Sequence, residues 1–265
     1  MLIIGERINT SRKAVNEAVE CRDAAFIQTD ILAQVEAGAY WIDLNAGSRL
    51  ISEAEDLLWL IKVAEKVVDL PLSLDSCNPQ VLVRAIGQVK KRPLLNSITA
   101  EQRRFDQMKP VIQERECDIV ALCMDDEGPP KAVDKILKNA ERLIHDLEIL
   151  GVTHNRIYLD PLIQPLSINV QSGLIALEAI RLIQKEFPGV HTVCGISNIS
   201  YCLPGRSPIN RVFLGMAMEA GLYAAILDPL DKKVMTHIRV IEMLLGQDDF
   251  CLNYIRAFRE GKIFL

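Results

Sequence analysis

Eight short apolar runs, each followed by a longer stretch of helical periodicity, set what this 265-residue chain can become. The runs are Leu2–Gly5, Tyr40–Leu44, Leu70–Leu74, Pro93–Leu95, Ile119–Cys123, Arg156–Leu159, His191–Ile196 and Tyr223–Leu227. Continuous apolar runs of this length suit strands covered on both faces. Eight strand–helix alternations predict a single closed (β/α)8 TIM barrel over residues 1–265, and the length agrees with the roughly 250 residues such barrels use. An open doubly wound sheet is the competing arrangement. It usually carries a glycine-rich phosphate turn after its first strand, whereas this chain reads GERINTSRK there.

The helical segments carry start and stop signals. Ser52 and Glu55 have the spacing of a capping box. Asn78-Pro79 reads as an N-cap followed by an N1 proline. Asp23 is placed to cap the helix that Gly38 ends. Pro129-Pro130 precedes a helix closed by Gly151.

Function is most legible where the strands end. The first run leads into Glu6 and Asn9, the second into Asp43 and Asn45, the third into Asp75-Ser76, and the fourth into Asn96-Ser97. The sixth leads into Asp160-Pro161, the seventh into Ser197-Asn198 and the eighth into Asp228. In a barrel these ends meet at one mouth, where barrel enzymes place their chemistry. A single Asp after a strand is more often an N-cap, and Asp228 before Pro229 reads that way. Seven polar ends together are harder to attribute to capping.

The four histidines, His145, His154, His191 and His237, lie away from these ends, so catalytic zinc is not expected. No P-loop or paired glycines offer a phosphate site. A set rich in Asp and Asn suits a neutral heterocycle with several N–H donors. A carboxylate accepts two parallel N–H bonds, and an amide both donates and accepts. A 2-amino-4-oxo-pyrimidine edge matches both.

Bulk properties exclude other classes. The net charge is −5, with Lys and Arg scattered, which argues against a nucleic-acid partner. Hydrophobic residues make up 49%, yet no apolar run reaches the roughly 18 residues of a membrane helix. The start, MLIIGERIN, lacks the basic and apolar regions of a secretory leader. Seven cysteines, an odd count with no C-x-x-C pair, point to a reducing cytoplasm. Cys77 and Cys194 read as packing residues, and Asp125-Asp126-Glu127 as a solvated loop.

The strand-end motifs, in order, resemble those of the pterin-binding barrels, a group that includes dihydropteroate synthases, the folate domain of cobalamin-dependent methionine synthase, and methyltetrahydrofolate:corrinoid protein methyltransferases. The stretches LIIGERIN, YWIDLNAG, LSLDSCNP and GISNISYCLPGRSP are most similar to the methyltransferase branch. A dihydropteroate synthase would carry a TPDSFSD-like first loop and Ser-Arg-Lys near the seventh strand. This chain has INTSRKAV and Ser197-Asn198 instead. Tyr201 stands where some acetogen enzymes have an amide, which brings the Tyr-Cys-Leu-Pro-Gly-Arg run closer to methionine synthase.

The resemblance implies that Asp75, Asn96 and Asp160 hold the pterin and that Asn198 reaches N5. Ser197 and Arg206 would shape the mouth. Asp43 and Asn45 would belong to the surrounding polar network, with Glu6 in the substrate-binding set. It further implies tetrahydrofolate or methyltetrahydrofolate as substrate. A corrinoid (cobalamin) would be carried by a partner protein, since no D-x-H-x-x-G corrinoid motif occurs here. A homodimer built on the flanking helices is expected. The alternatives are a dihydropteroate synthase and a non-catalytic folate-binding partner of a corrinoid complex.

Overall fold

The computed structural model describes residues 1–264. All eight expected strands are present, with ends shifted by at most four residues. They are β1 (Leu2–Asn9), β2 (Trp41–Asn45), β3 (Leu72–Asp75), β4 (Leu94–Thr99), β5 (Asp118–Leu122), β6 (Ile157–Asp160), β7 (His191–Gly195) and β8 (Ala224–Leu227). Each pairs in parallel with the next, and β8 returns to β1, closing the barrel. The helices on the outside are α1 (Lys13–Glu20), α2 (Ala24–Ala37), α3 (Glu53–Ala64), α4 (Pro79–Ile86), α5 (Gln102–Glu114) and α6 (Val133–Ile149). They continue with α7 (Ser172–Glu186), α8 (Arg206–Glu219), α9 (Lys232–Leu244) and α10 (Leu252–Arg259). Among the described residues no helix is long and apolar enough to cross a membrane.

Side chains alternate between the barrel interior and the helix layer, because successive residues of a strand point to opposite faces. Ile4, Trp41, Leu94, Val120, Tyr158, Val193 and Ala224 form one apolar cluster, the interior plug. Their neighbours in each strand pack outward; Ile42, Leu95, Ile119 and Leu159, for example, join the larger core beneath the helices. Every second residue onward from the plug therefore faces the mouth. That parity leads from Trp41 to Asp43 and Asn45, from Leu94 to Asn96, from Tyr158 to Asp160, and from Val193 to Gly195. The polar ends are the upper layer of the same inward face.

Local signals explain some helix ends. Asp23 accepts the Phe26 N–H at 3.0 Å to open α2, and Gly38, at φ 110°, closes it in the left-handed region. Asn78 accepts the Gln80 N–H at 3.0 Å, with Pro79 as the first residue of α4.

Two expected caps do not form. Ser52 precedes α3 but its hydroxyl donates to Asp56 Oδ2 at 2.6 Å, so the capping box with Glu55 is absent. The reason is Asp56, a fully buried carboxylate that also pairs with Arg49 at 2.6 Å and Arg22 at 2.7 Å. A buried charge needs such partners more than a helix end needs one hydroxyl. Asp228 does not cap α9 either. Asp231 does, accepting from Lys233 and Val234, while Asp228 bonds Leu230 N–H and pairs with Arg7 at 2.7 Å.

Burial alone would raise the Asp56 carboxyl, but the Ser52 hydroxyl and the Arg49 and Arg22 guanidiniums outweigh it and hold it below the usual aspartate range. The resulting stability is present above the ordinary aspartate pKa and is lost as pH falls through the depressed value. Asp56→Ala is expected to cost about 2 kcal/mol at pH 7. For a chain of this size that is roughly 4–8 °C in Tm. The gap from wild type should shrink in acid; a pH series of thermal melts measures it.

Candidate active site

The residues expected at the strand ends converge on the mouth. Asp43 is buried; it accepts the Ser73 hydroxyl at 2.6 Å and the Asn96 side-chain N–H at 3.2 Å. Asn45 donates to Asp75 Oδ2 at 2.7 Å, and its own carbonyl accepts the Gly47 N–H at 2.8 Å. Strand pairing sets these contacts, since Asp43 lies level with Ser73 and Asn45 with Asp75, while Asp75 pairs with Asn96. Burial raises both carboxyls, and the charge of Asp75 raises Asp43 further. Two carboxylates this close do not readily ionise together, so Asp43 holds its proton far above the usual range.

Asp160 closes the same layer from β6. It is buried, accepts the Leu162 N–H through Oδ1 at 2.8 Å, and burial pushes its carboxyl up to about 7. Its second oxygen and the side-chain carbonyl of Asn96 take no hydrogen bond from the described residues, whereas the Asn96 backbone carbonyl accepts the Ser76 N–H at 3.0 Å. Two acceptors are thus presented to the mouth without a partner.

The opposite side of the mouth is built by the turn after β7. Ile196–Ser200 forms a 3-10 turn, so Ser197 and Asn198 stand just beyond the strand rather than on it. Arg206, the first residue of α8, braces this turn by donating to the Ser197 carbonyl at 2.7 Å and the Ser200 hydroxyl at 3.0 Å. Ser200 in turn donates to Asn210 at 2.6 Å. Gly195 occupies the inward position of β7; a side chain there would meet the Asn198 amide nitrogen at 3.3 Å. Asn198 thus leans over the vacant inward site of its own strand. It is exposed, and its side chain bonds to none of the described residues.

Glu6 is half-buried on β1, next to a register slip between Gly5 and Ile8. Such a bulge re-aims side chains at a barrel rim. The neighbouring Arg7 turns the other way, to Asp30 at 2.8 Å and Asp228 at 2.7 Å.

Several contributors were not expected. Glu53, buried at the start of α3, accepts the Ser76 hydroxyl at 2.5 Å. Arg104 of α5 donates to the carbonyls of Cys77 at 2.5 Å and Ser97 at 3.0 Å, tying the loop after β3 to the end of β4. Only the run Ser52–Asp56 hinted at the first, by placing several acids before an apolar helix, and nothing in sequence marks Arg104. Cys77, expected to pack, is exposed, because the loop after Asp75 turns outward before α4. Asp125 pairs with Lys135 at 2.6 Å and Asp126 accepts the Gln102 N–H at 3.2 Å, which fits the solvated-loop reading. No group of three metal-ligating side chains occurs among the described residues.

The sequence profile of pterin-binding enzymes matches residues 5–228. The chain is 35% identical to a methylcorrinoid:tetrahydrofolate methyltransferase of Eubacterium limosum, over 99% of this chain and 98% of that protein. It is 31% identical to a methionine synthase of Mycobacterium leprae over 85% of this chain, which spans only 20% of that longer protein. Among solved structures, dihydropteroate synthases of Xanthomonas albilineans and Vibrio fischeri superpose with TM-scores of 0.69 and 0.68 at 17% and 16% identity. The first covers 93% of this chain and 92% of its own, the second 93% of each. At that identity the likeness establishes the barrel and nothing narrower. The profile spans most of the chain and the Eubacterium limosum relative nearly all of it; the chain belongs to the family of pterin-binding enzymes.

Proposed function

We propose that this protein transfers the N5-methyl group between methyltetrahydrofolate and the cobalt of a corrinoid held by a partner protein. The observation that carries the reading is the free pair of acceptors, Asp160 Oδ2 and the Asn96 side-chain carbonyl, at a mouth where the turn after the neighbouring strand β7 presents an unengaged Asn198. A pterin laid in this space offers its 2-amino and ring N–H donors to the Asp and Asn layer. Its N5 then lies on the side of Asn198. The Eubacterium limosum relative, similar along its whole length, is a methylcorrinoid:tetrahydrofolate methyltransferase, and this supports the same chemistry here.

The nitrogen anion left by a departing methyl is a poor leaving group, so N5 needs a hydrogen bond or a proton near the transition state. Asn198 does not ionise in the working range, but it can donate to N5 as charge appears there and reorient afterwards. Asp75, Asn96 and Asp160 orient the ring so that the methyl faces the incoming cobalt. Asp43, Asn45, Ser197 and Arg206 keep those groups in place. The corrinoid protein docks on the mouth transiently, which needs only a modest interface.

We also place the protein in the cytoplasm, a reading supported by seven unpaired thiols. A homodimer is supported by Leu174, Val212 and Met216, exposed on the outer faces of α7 and α8. Sedimentation measures the latter.

The deciding assay mixes the protein with methyltetrahydrofolate and cob(I)alamin and follows the methylcobalamin spectrum. Methylcobalamin with stoichiometric demethylated folate is expected. Tight folate binding with no transfer would indicate a binding module. Condensation of a pterin pyrophosphate with p-aminobenzoate would indicate a dihydropteroate synthase. Either result overturns the proposal.

A further inference from the structure

Methyl transfer at N5 uses a proton that can be lent and recovered, and Asn198 has none to lend. Glu6 does. It stands on β1, two residues beyond the interior residue Ile4, and β1 joins β8 to β2 at the closure of the barrel. It lines a cavity of about 100 Å³ with Ser197, Asn210, Ile226, Asp228 and Asp231. Ser197 is the residue before Asn198, so Glu6 opens onto the side of the mouth where N5 is placed.

The charged groups facing Glu6 are known from each neighbouring element. Asp228 comes from the end of β8, Arg12 from the turn after β1 and Arg206 from the start of α8. Asp43 on β2 senses the Glu6 charge from the pterin side. Burial and then Asp228 lift the Glu6 carboxyl above the ordinary glutamate range, and Arg12 and Arg206 offset only part of this. No hydrogen bond from the described residues engages it. An acid so placed, free of a structural partner, is available to a ligand.

We propose, building on the methyl-transfer reading, that Glu6 is the acid–base group that exchanges a proton with N5. In demethylation of the folate, the Glu6 carboxylic acid gives its proton to N5. The methyl–N5 bond then breaks with its electron pair remaining on nitrogen, and cobalt(I) supplies the pair for the new carbon–cobalt bond. The products are the N5–H folate, methylcobalt(III) and the Glu6 carboxylate. In the reverse direction the N5 lone pair takes the methyl and the carbon–cobalt pair returns to cobalt. The Glu6 carboxylate then removes the N5 proton.

The two directions require opposite forms of Glu6. The demethylation rate should fall as pH rises through the Glu6 pKa, and the methylation rate should rise through the same midpoint. Single-turnover rates measured against pH test this, with methyltetrahydrofolate plus cob(I)alamin one way and tetrahydrofolate plus methylcobalamin the other. Glu6→Gln should abolish both limbs and slow turnover about 100-fold, with folate affinity kept within about threefold. Asp228→Asn removes a charge that raises the Glu6 pKa, so it should move the shared midpoint to lower pH. If Glu6→Gln does not fold, that shift alone decides. Limbs that survive Glu6→Gln, or a midpoint unmoved in Asp228→Asn, overturn the role of Glu6. A wild-type protein that transfers no methyl in either direction instead overturns the underlying function.

Discussion

Asp160→Asn should abolish useful pterin binding while making the empty protein more stable at pH 8. Both effects follow from one buried carboxyl. Burial moves its pKa from 3.8 to about 7, against the single opposing hydrogen bond from Leu162 N–H. That displacement corresponds to as much as about 4 kcal/mol of disfavoured charge. For a raised acid, stability is fully present below the unfolded value and is lost as pH rises through about 7. The amide keeps the acceptor for Leu162 and carries no charge, so the variant should gain stability at pH 8 and little at pH 4.

Pterin binding should respond in the opposite sense. The pterin donors need Asp160 Oδ2 as an acceptor beside the Asn96 side-chain carbonyl, and an amide that keeps its oxygen on Leu162 N–H turns an opposing donor toward them. Losing charge-assisted bonds and leaving a buried donor unmatched should weaken binding about 100- to 1000-fold. In the wild type, pterin affinity should fall about tenfold per pH unit below about 7, as Asp160 takes up its proton. The variant's weaker affinity should not show that slope. Calorimetric titration of a pterin across pH measures both. Unchanged affinity in Asp160→Asn would place the pterin elsewhere.

The same carboxyl shows what the sequence could and could not reveal. Asp160 follows an apolar run, and its inward direction comes from parity with Tyr158, two residues earlier in the plug. Runs, breaks and parity are one-dimensional facts, so eight strands and seven polar ends are legible without coordinates. Which polar ends become partners is not. Asn45 finds Asp75 and Asn96 finds Asp43 because of register between strands about thirty or fifty residues apart. Arg104 reaches one loop carbonyl and one strand-end carbonyl from a helix with no distinguishing motif. The two failed caps trace to charged partners that the local pattern does not show. At Ser52 the buried carboxylate of Asp56, one turn further along the same helix, takes the hydroxyl; at Asp228 one carboxylate oxygen goes to Arg7 of β1 and the other to Leu230 N–H, while Asp231 caps α9. Local pattern reports propensity, and a charged partner can override it.

Asn198→Ala should separate catalysis from binding at this site. In the folded protein the Asn198 side chain is exposed and engages none of the described residues, so its removal should change stability by less than about 0.5 kcal/mol. The pterin ring is held by Asp75, Asn96 and Asp160, so folate affinity should change by no more than about threefold. Turnover should fall about 100-fold, the loss typical of one donor aimed at charge that develops only in the transition state. Gly195→Ala offers a graded companion. Its added methyl lies 3.3 Å from the Asn198 amide nitrogen, close enough to displace that group by a few tenths of an ångström. Such a displacement should slow transfer about fivefold without removing the donor. The two variants together distinguish the presence of the amide from its placement. If Asn198→Ala instead weakened folate binding at unchanged turnover, Asn198 would be a binding residue, and the donor to N5 would have to be sought on another strand.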